Sequence, residues 1–206
     1  MIISYNGLES FKISHGDLVL AVNPVSKDSK AKTSKFGADI TLVTTNHPDF
    51  NGAEQTARAD KEPFVISGPG EYEVKDVFIR GFLSESAYGD AKLNTIYLIS
   101  FEGMNLCFLG ALSNPALSSE TLEVLENLDI IFAPISGEGV LNPSAAYKLA
   151  VSLEPSIIIP MHYNNDSLKQ FLKEGGEEKV EMQDKLVVKK KDMEGKKGEI
   201  VVLKEE

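Results

Sequence analysis

A single cysteine, Cys107, occurs in 206 residues, which excludes an intrachain disulfide and any zinc cluster built on thiolates. It sits in the apolar run LCFLG, where a buried, inert thiol is expected rather than a nucleophile. Long hydrophobic runs are also missing. Stretches such as Ile130-Ile-Phe132 and Ile157-Ile-Ile159 are far too short to span a bilayer, so no membrane partner is expected. The opening MIISYNGLESFKI alternates like a strand and shows no basic segment ahead of an apolar one; no secretory signal and a cytoplasmic location are the expectation. Positive charge is short as well. Residues 1–165 carry 11 basic and 20 acidic side chains, a balance of −9, and residues 166–206 carry 10 and 11. Such an acidic body repels phosphodiester backbones, and the Lys189-Lys-Lys191 cluster is matched by nearby acids, so nucleic acid is not an expected partner.

What is present is enough for one substantial core: 42% of the residues are hydrophobic, and no segment is low in complexity. The first half reads as short strands with turns between them: Ile2–Tyr5, Phe11–Ser14, Leu18–Val22, Ile40–Thr44, Phe64–Ser67, Tyr72–Val74 and Val77–Phe82. Gly68-Pro-Gly70 is a turn, and Thr95–Phe101 with Asn105–Leu109 makes a hairpin. Strands at Asp129–Pro134 and Ser156–Pro160 then alternate with helices. Glu120–Asn127 follows a Ser118-Ser119 cap, Ser144–Leu153 opens on Asn142-Pro143, and Asp166–Lys173 ends at Gly175-Gly176. Lys179–Gln183, Lys185–Lys190 and Glu199–Lys204 read as a β-strand appendage. The expected division is residues 1–175 as one domain with 176–206 packed on it, and two sheets face to face with helices outside.

Chemistry concentrates after the buried run Ile40–Val43, in the polar loop Thr44–Gly52 that contains His47 and Asp49. Loops that leave strand ends carry function more often than the strands do. A further histidine, His162, lies in IIPMHY. Two imidazoles and a carboxylate could form a facial triad for one metal, or could simply hydrogen-bond one another and the backbone. His15 reads as a solvated turn residue. Glu71 and Glu73 fall on one side of a strand, which suits a surface role. Ser118-Ser119 is better placed to cap a helix than to act as a nucleophile, and Gly137-Glu-Gly139 lacks the lysine of a phosphate loop.

Seven segments in order, GLESFKI (Gly7–Ile13), LVLAVNP (Leu18–Pro24), the loop at Thr44, GPGEYEV (Gly68–Val74), NTIYLI (Asn94–Ile99), FLGAL (Phe108–Leu112) and IIPMHY (Ile158–Tyr163), resemble the metallo-β-lactamase superfamily. The resemblance is to its lactonase-like branch, with L-ascorbate-6-phosphate lactonase and Zn-dependent hydrolases. It implies an α/β (α+β) four-layer αββα sandwich and, in typical members, two zinc ions held partly by His-x-His-x-Asp-His. The matching positions here are Thr45, His47, Asp49 and Phe50. The histidine of a GHSCF-like segment falls on Leu8, the bridging aspartate on Ala111, and Ser84–Ala87 supplies no histidine. His47 would face the first metal, and Asp49 and His162 the second.

With Leu8, Thr45, Phe50 and Ala111 at ligand positions, the resemblance implies a site without its dinuclear zinc centre. The leading expectation is a non-catalytic or binding module that takes a small molecule or a protein partner, free of cofactor, with an oligomer possible. The alternative is a mononuclear metal-dependent hydrolase of small esters, lactones or phosphorylated metabolites. There one zinc or other divalent metal would be weakly bound by His47, Asp49 and His162, with Asp49 as general base.

Overall fold

The computed structural model describes residues 1–58, 62–177 and 179–206. Apolar alternation in the first third produces an antiparallel meander: β1 (Ile2–Tyr5), β2 (Phe11–His15) and β3 (Leu18–Val22). β4 (Ile40–Leu42) and β5 (Phe64–Ile66) then add in parallel to β3. The second sheet begins with β6 (Gly70–Val74), β7 (Val77–Glu85), β8 (Leu93–Phe101) and β9 (Met104–Phe108), all antiparallel. The β8–β9 turn is the two residues Glu102 and Gly103, both with positive φ (54° and 72°), the geometry that matches strand twist in a tight hairpin.

β10 (Ile130–Pro134) and β11 (Ile157–Met161) continue that sheet in parallel. Both are buried along their whole length, which explains their unbroken apolar sequence. Three helices, α1 (Ser119–Val124), α2 (Pro143–Ser152) and α3 (Asn165–Glu174), follow β9, β10 and β11. Each starts on a side-chain cap, from Ser118, Asn142 and Asn164 respectively, and the last is a full capping box with Ser167.

The C-terminal segment gives two short strands, β12 (Leu186–Val187) and β13 (Glu199–Ile200). Each sheet takes one. The first sheet runs β12-β1-β2-β3-β4-β5 and the second β13-β11-β10-β9-β8-β7-β6. Between Lys179 and Gln183, where a strand was expected, the described residues make only an isolated bridge from Gln183 to Leu203.

The two sheets pack face to face around Phe11, Phe108 and Phe132. Phe108 and Phe132 stack at 3.8 Å, and Phe11 meets both edge-on at 5.7 and 4.8 Å. On the outer face of the second sheet, Leu149, Ala150 and Phe171 of the helices cover Cys107, Ile131 and Ile158. Outside the first sheet, the described residues place only a 3-10 turn, Ala53–Thr56, against β4, with Thr41 Oγ1 and Thr56 Oγ1 at 2.7 Å. The αββα sandwich is thus helical mainly on one side.

Candidate functional site

β1, β3, β4, β7, β9, β10 and β11 all run in one sense within their sheets, so their following loops collect at one end of the sandwich. Hydrogen bonds tie those loops across the two sheets. The Thr95 N–H donates to the Thr44 carbonyl at 2.8 Å, and the His162 N–H donates to the Leu8 carbonyl at 2.6 Å.

In the loop after β4, the Phe50 and Asn51 N–H groups both donate to the His47 carbonyl. This tight turn brings His47 and Asp49 to one side and sends Phe50 inward. Phe50 is fully buried against Ala111 and Val140, with Leu8 and Tyr88 alongside. Three of the expected ligand positions, Leu8, Phe50 and Ala111, therefore form one apolar cluster. The fourth, Thr45, is also buried, and its hydroxyl donates to Asn94 Oδ1 at 2.9 Å. Asn94 in turn donates to the Leu109 carbonyl and to Ser84.

Tyr88 holds the centre. Its ring lies 4.9 Å from that of His47, 4.9 Å from Phe50 and 5.0 Å from His162. Its hydroxyl donates to Asp49 Oδ2 at 2.7 Å, while Ser29 donates to Asp49 Oδ1 at 2.5 Å. Burial, followed by the Asp49 hydrogen bond, pushes the Tyr88 phenol well above its ordinary range. His47 accepts the Asp49 N–H on Nδ1 at 3.2 Å, and its Nε2 abuts Gly89, where an added Cβ would stand 3.0 Å away. The Gly137–Gly139 loop backs this arrangement, because a Cβ on Gly139 would meet the Ala87 carbonyl at 2.7 Å.

His162 belongs to a different set of partners. Its backbone is left-handed (φ 51°), and its Nδ1 lies 3.0 Å from Glu9 Oε1. Glu9 is completely buried, and its other oxygen accepts from Asn23 Nδ2 at 3.0 Å. Asn23 also donates to Thr44 Oγ1 and accepts the Thr44 N–H. A buried carboxyl group thus sits in a polar network that engages both of its oxygens.

His47, Asp49 and His162 do not converge on one point. Both Asp49 oxygens are taken, His162 Nδ1 faces Glu9, and the Tyr88 ring stands beside both imidazoles. Among the described residues, no three His, Cys, Asp or Glu side chains are grouped to hold a metal. The residues as placed do not fit a metal ion.

Three residues that organise the site, Glu9, Asn23 and Tyr88, were not among those singled out from the sequence. Glu9 carried a signal: it is the one acid inside the otherwise apolar or neutral run Leu8–Phe11. The other candidates stay peripheral. His15 is exposed and pairs with Glu102 at 2.9 Å, Glu71 pairs with Arg80 at 3.4 Å on the surface, and Ser118 caps α1. Burial pushes the Cys107 thiol far up, as expected for an inert core cysteine. No helix among the described residues is long and apolar enough to cross a membrane.

Comparison with known proteins agrees with the architecture. The profile described as "Beta-lactamase superfamily domain" matches residues 2–162. A UPF0173 metal-dependent hydrolase from Lysinibacillus sphaericus is 26% identical over 198 residues, covering 80% of this chain and 86% of its own length. Another, from Natranaerobius thermophilus, is 25% identical over 191 residues, with 80% and 84% covered. Among solved structures, a metallo-β-lactamase superfamily protein from Thermotoga maritima superposes with a TM-score of 0.76 at 23% identity, covering 98% and 97% of the two chains. A metallo hydrolase from Ignicoccus hospitalis gives 0.64 at 18% identity, covering 91% and 99%.

Proposed function

Because the chain belongs to the beta-lactamase superfamily, we propose that it is a hydrolase of small esters, lactones or phosphorylated metabolites, with the Glu9–His162 pair as its acid–base group. The relatives carry hydrolase names, and the expectation of a non-catalytic module draws no support from them. Those names also imply a divalent metal in the relatives, so the expectation of a cofactor-free protein stands unconfirmed, although His47, Asp49 and His162 are not arranged to hold one here.

The observation that carries the reading is the buried Glu9 carboxylate on His162 Nδ1. A carboxylate in that place keeps the proton on Nδ1 and leaves the Nε2 lone pair free to accept one. His162 Nε2 would take a proton from water as the water oxygen attacks the acyl or phosphoryl centre, then return it to the leaving oxygen. Tyr88 covers this imidazole, so substrate entry requires its ring to swing outward and its hydrogen bond to Asp49 to break.

The test is a panel of p-nitrophenyl acetate, a γ-lactone and p-nitrophenyl phosphate, assayed with EDTA and with added zinc. The expected outcome is turnover that survives EDTA and falls on the order of 10²-fold or more in His162→Ala and in Glu9→Gln. No turnover in any arm would overturn the reading. The filling of the site by Phe50 and Tyr88 would then be the explanation, and a binding role would be all that is left to it.

A further inference from the structure

A cavity of about 390 Å³ opens beside the β1–β2 turn, with Leu8, which also packs on the Phe50 cluster, in its wall. Its wall includes Tyr5, Asn6, Lys32, Tyr163, Met182 and Glu205. Sorting these groups by what they have left to bond decides the chemistry. The Tyr5 hydroxyl donates to the Leu8 carbonyl at 2.8 Å, and the Tyr163 hydroxyl donates to the Leu203 carbonyl at 2.8 Å. Both phenols are therefore engaged, and their rings, offset-stacked at 5.9 Å, remain as aromatic surface. The Lys32 ammonium donates to the Glu206 carbonyl at the rim.

Two acceptors are left over. Asn6 is 95% buried from solvent, and its Oδ1 has no hydrogen-bond partner among the described residues. A buried amide oxygen without a donor is costly. The exposed Glu205 carboxylate likewise has no hydrogen bond or ion pair among the described residues. It lies over Gly7, where an added Cβ would come within 2.8 Å of its carboxyl carbon, so glycine at that position makes room for it.

We infer that this cavity is a binding site for a small organic ammonium compound. Its N–H groups would donate to Glu205 and Asn6, and its charge would lie against the Tyr5 and Tyr163 rings. This site adjoins the hydrolytic one, since the Tyr5 hydroxyl accepts from the His162 N–H at 3.3 Å, but its occupancy does not depend on turnover.

The experiment uses the full chain, ¹⁵N-labelled, titrated with n-butylammonium chloride and, as control, sodium butyrate. Saturable shifts of the Asn6, Gly7 and Glu205 backbone amides with n-butylammonium, and none there with butyrate, are expected. Glu205→Gln, an exposed change that leaves the core alone, should weaken binding about tenfold, the loss of one charge-assisted hydrogen bond. Asn6→Leu should weaken it as well while raising the Tm, because it removes an orphaned acceptor. Absence of saturable shifts overturns the proposal. So does equal affinity in wild type and Glu205→Gln, or equal response to butyrate.

Discussion

Phe50 shows how one side chain can decide what a loop is able to hold. Restoring Thr45→His, Phe50→His and Ala111→Asp would add three donors to His47, Asp49 and His162, but Tyr88 would still stand beside both native imidazoles. Zinc affinity is therefore expected to rise by orders of magnitude only when Tyr88→Ala is added to the triple variant. Calorimetric zinc titration checks this. If the folded quadruple variant binds zinc no better than wild type, these positions do not correspond to the superfamily's ligands. The tyrosines give a second prediction. Burial raises Tyr5, Tyr88 and Tyr97 above the ordinary phenol range and brings Tyr163 up to about 12. A raised folded-state value means the native chain holds these protons more tightly than the unfolded one. The Tyr163 contribution is whole below the ordinary phenol value of 10.0 and is lost as pH rises through about 12, and those of the other three are lost later. Circular dichroism should show alkaline unfolding in that window, together with a late rise in absorbance at 295 nm. Tyrosines that titrate normally in the native state would refute it. At this scale the sequence was half legible. Only the resemblance to the superfamily pointed to Thr45, Phe50 and Ala111, of which Phe50 and Ala111 share one apolar cluster. The Glu9–His162 pair joins residues 153 positions apart, and nothing local in either segment announces the other.

Most strands and helices were legible to within a residue or two, because each carries its own period and its own punctuation. Asn142-Pro143 starts α2, and Glu102-Gly103 turns the β8–β9 hairpin. β7 and β8 run longer than their apolar cores suggest, since Leu83, Ser84 and Glu85 keep pairing with Leu93, Asn94 and Thr95. That extension matters, for it carries Asn94 to the point where it bonds Thr45 and Leu109. Gly110, just beyond β9, is fitted to this junction. Its φ is +60°, and a Cβ there would stand 2.4 Å from Asn94 Oδ1 and 2.6 Å from Thr44 Cβ. Gly103 has a similar φ of +72° with nothing within 4 Å. Alanine at Gly103 should cost only about 1 kcal/mol of backbone strain, and alanine at Gly110 about 3 kcal/mol or more. Urea unfolding of the two variants compares them directly. Equal losses would mean that the Asn94 junction yields freely.

At the scale of the whole molecule, the segment after α3 is part of both sheets. Leu186, Val188, Val201 and Leu203 lie in the core between the sheets, and Ile200 and Val202 lie under the helices. A chain cut after residue 175 would lose all of these and would bare β1 and β11 as open edges. It is expected not to fold, giving a collapsed spectrum without dispersed amide signals, whereas a folded, monomeric 1–175 fragment would refute this. Composition did not reveal it, because short strands in a lysine-rich segment look like surface until their partners are known. The same pairing has a meaning for how the protein comes into being. Ile2 and Ile3 leave the ribosome long before their outer neighbours, Val187 and Leu186. Until β12 is made, β1 therefore waits with one side unsatisfied, exposed to the wrong partners in a crowded cell. The protein's yield in vivo should depend on whether a chaperone shields that side until β12 arrives.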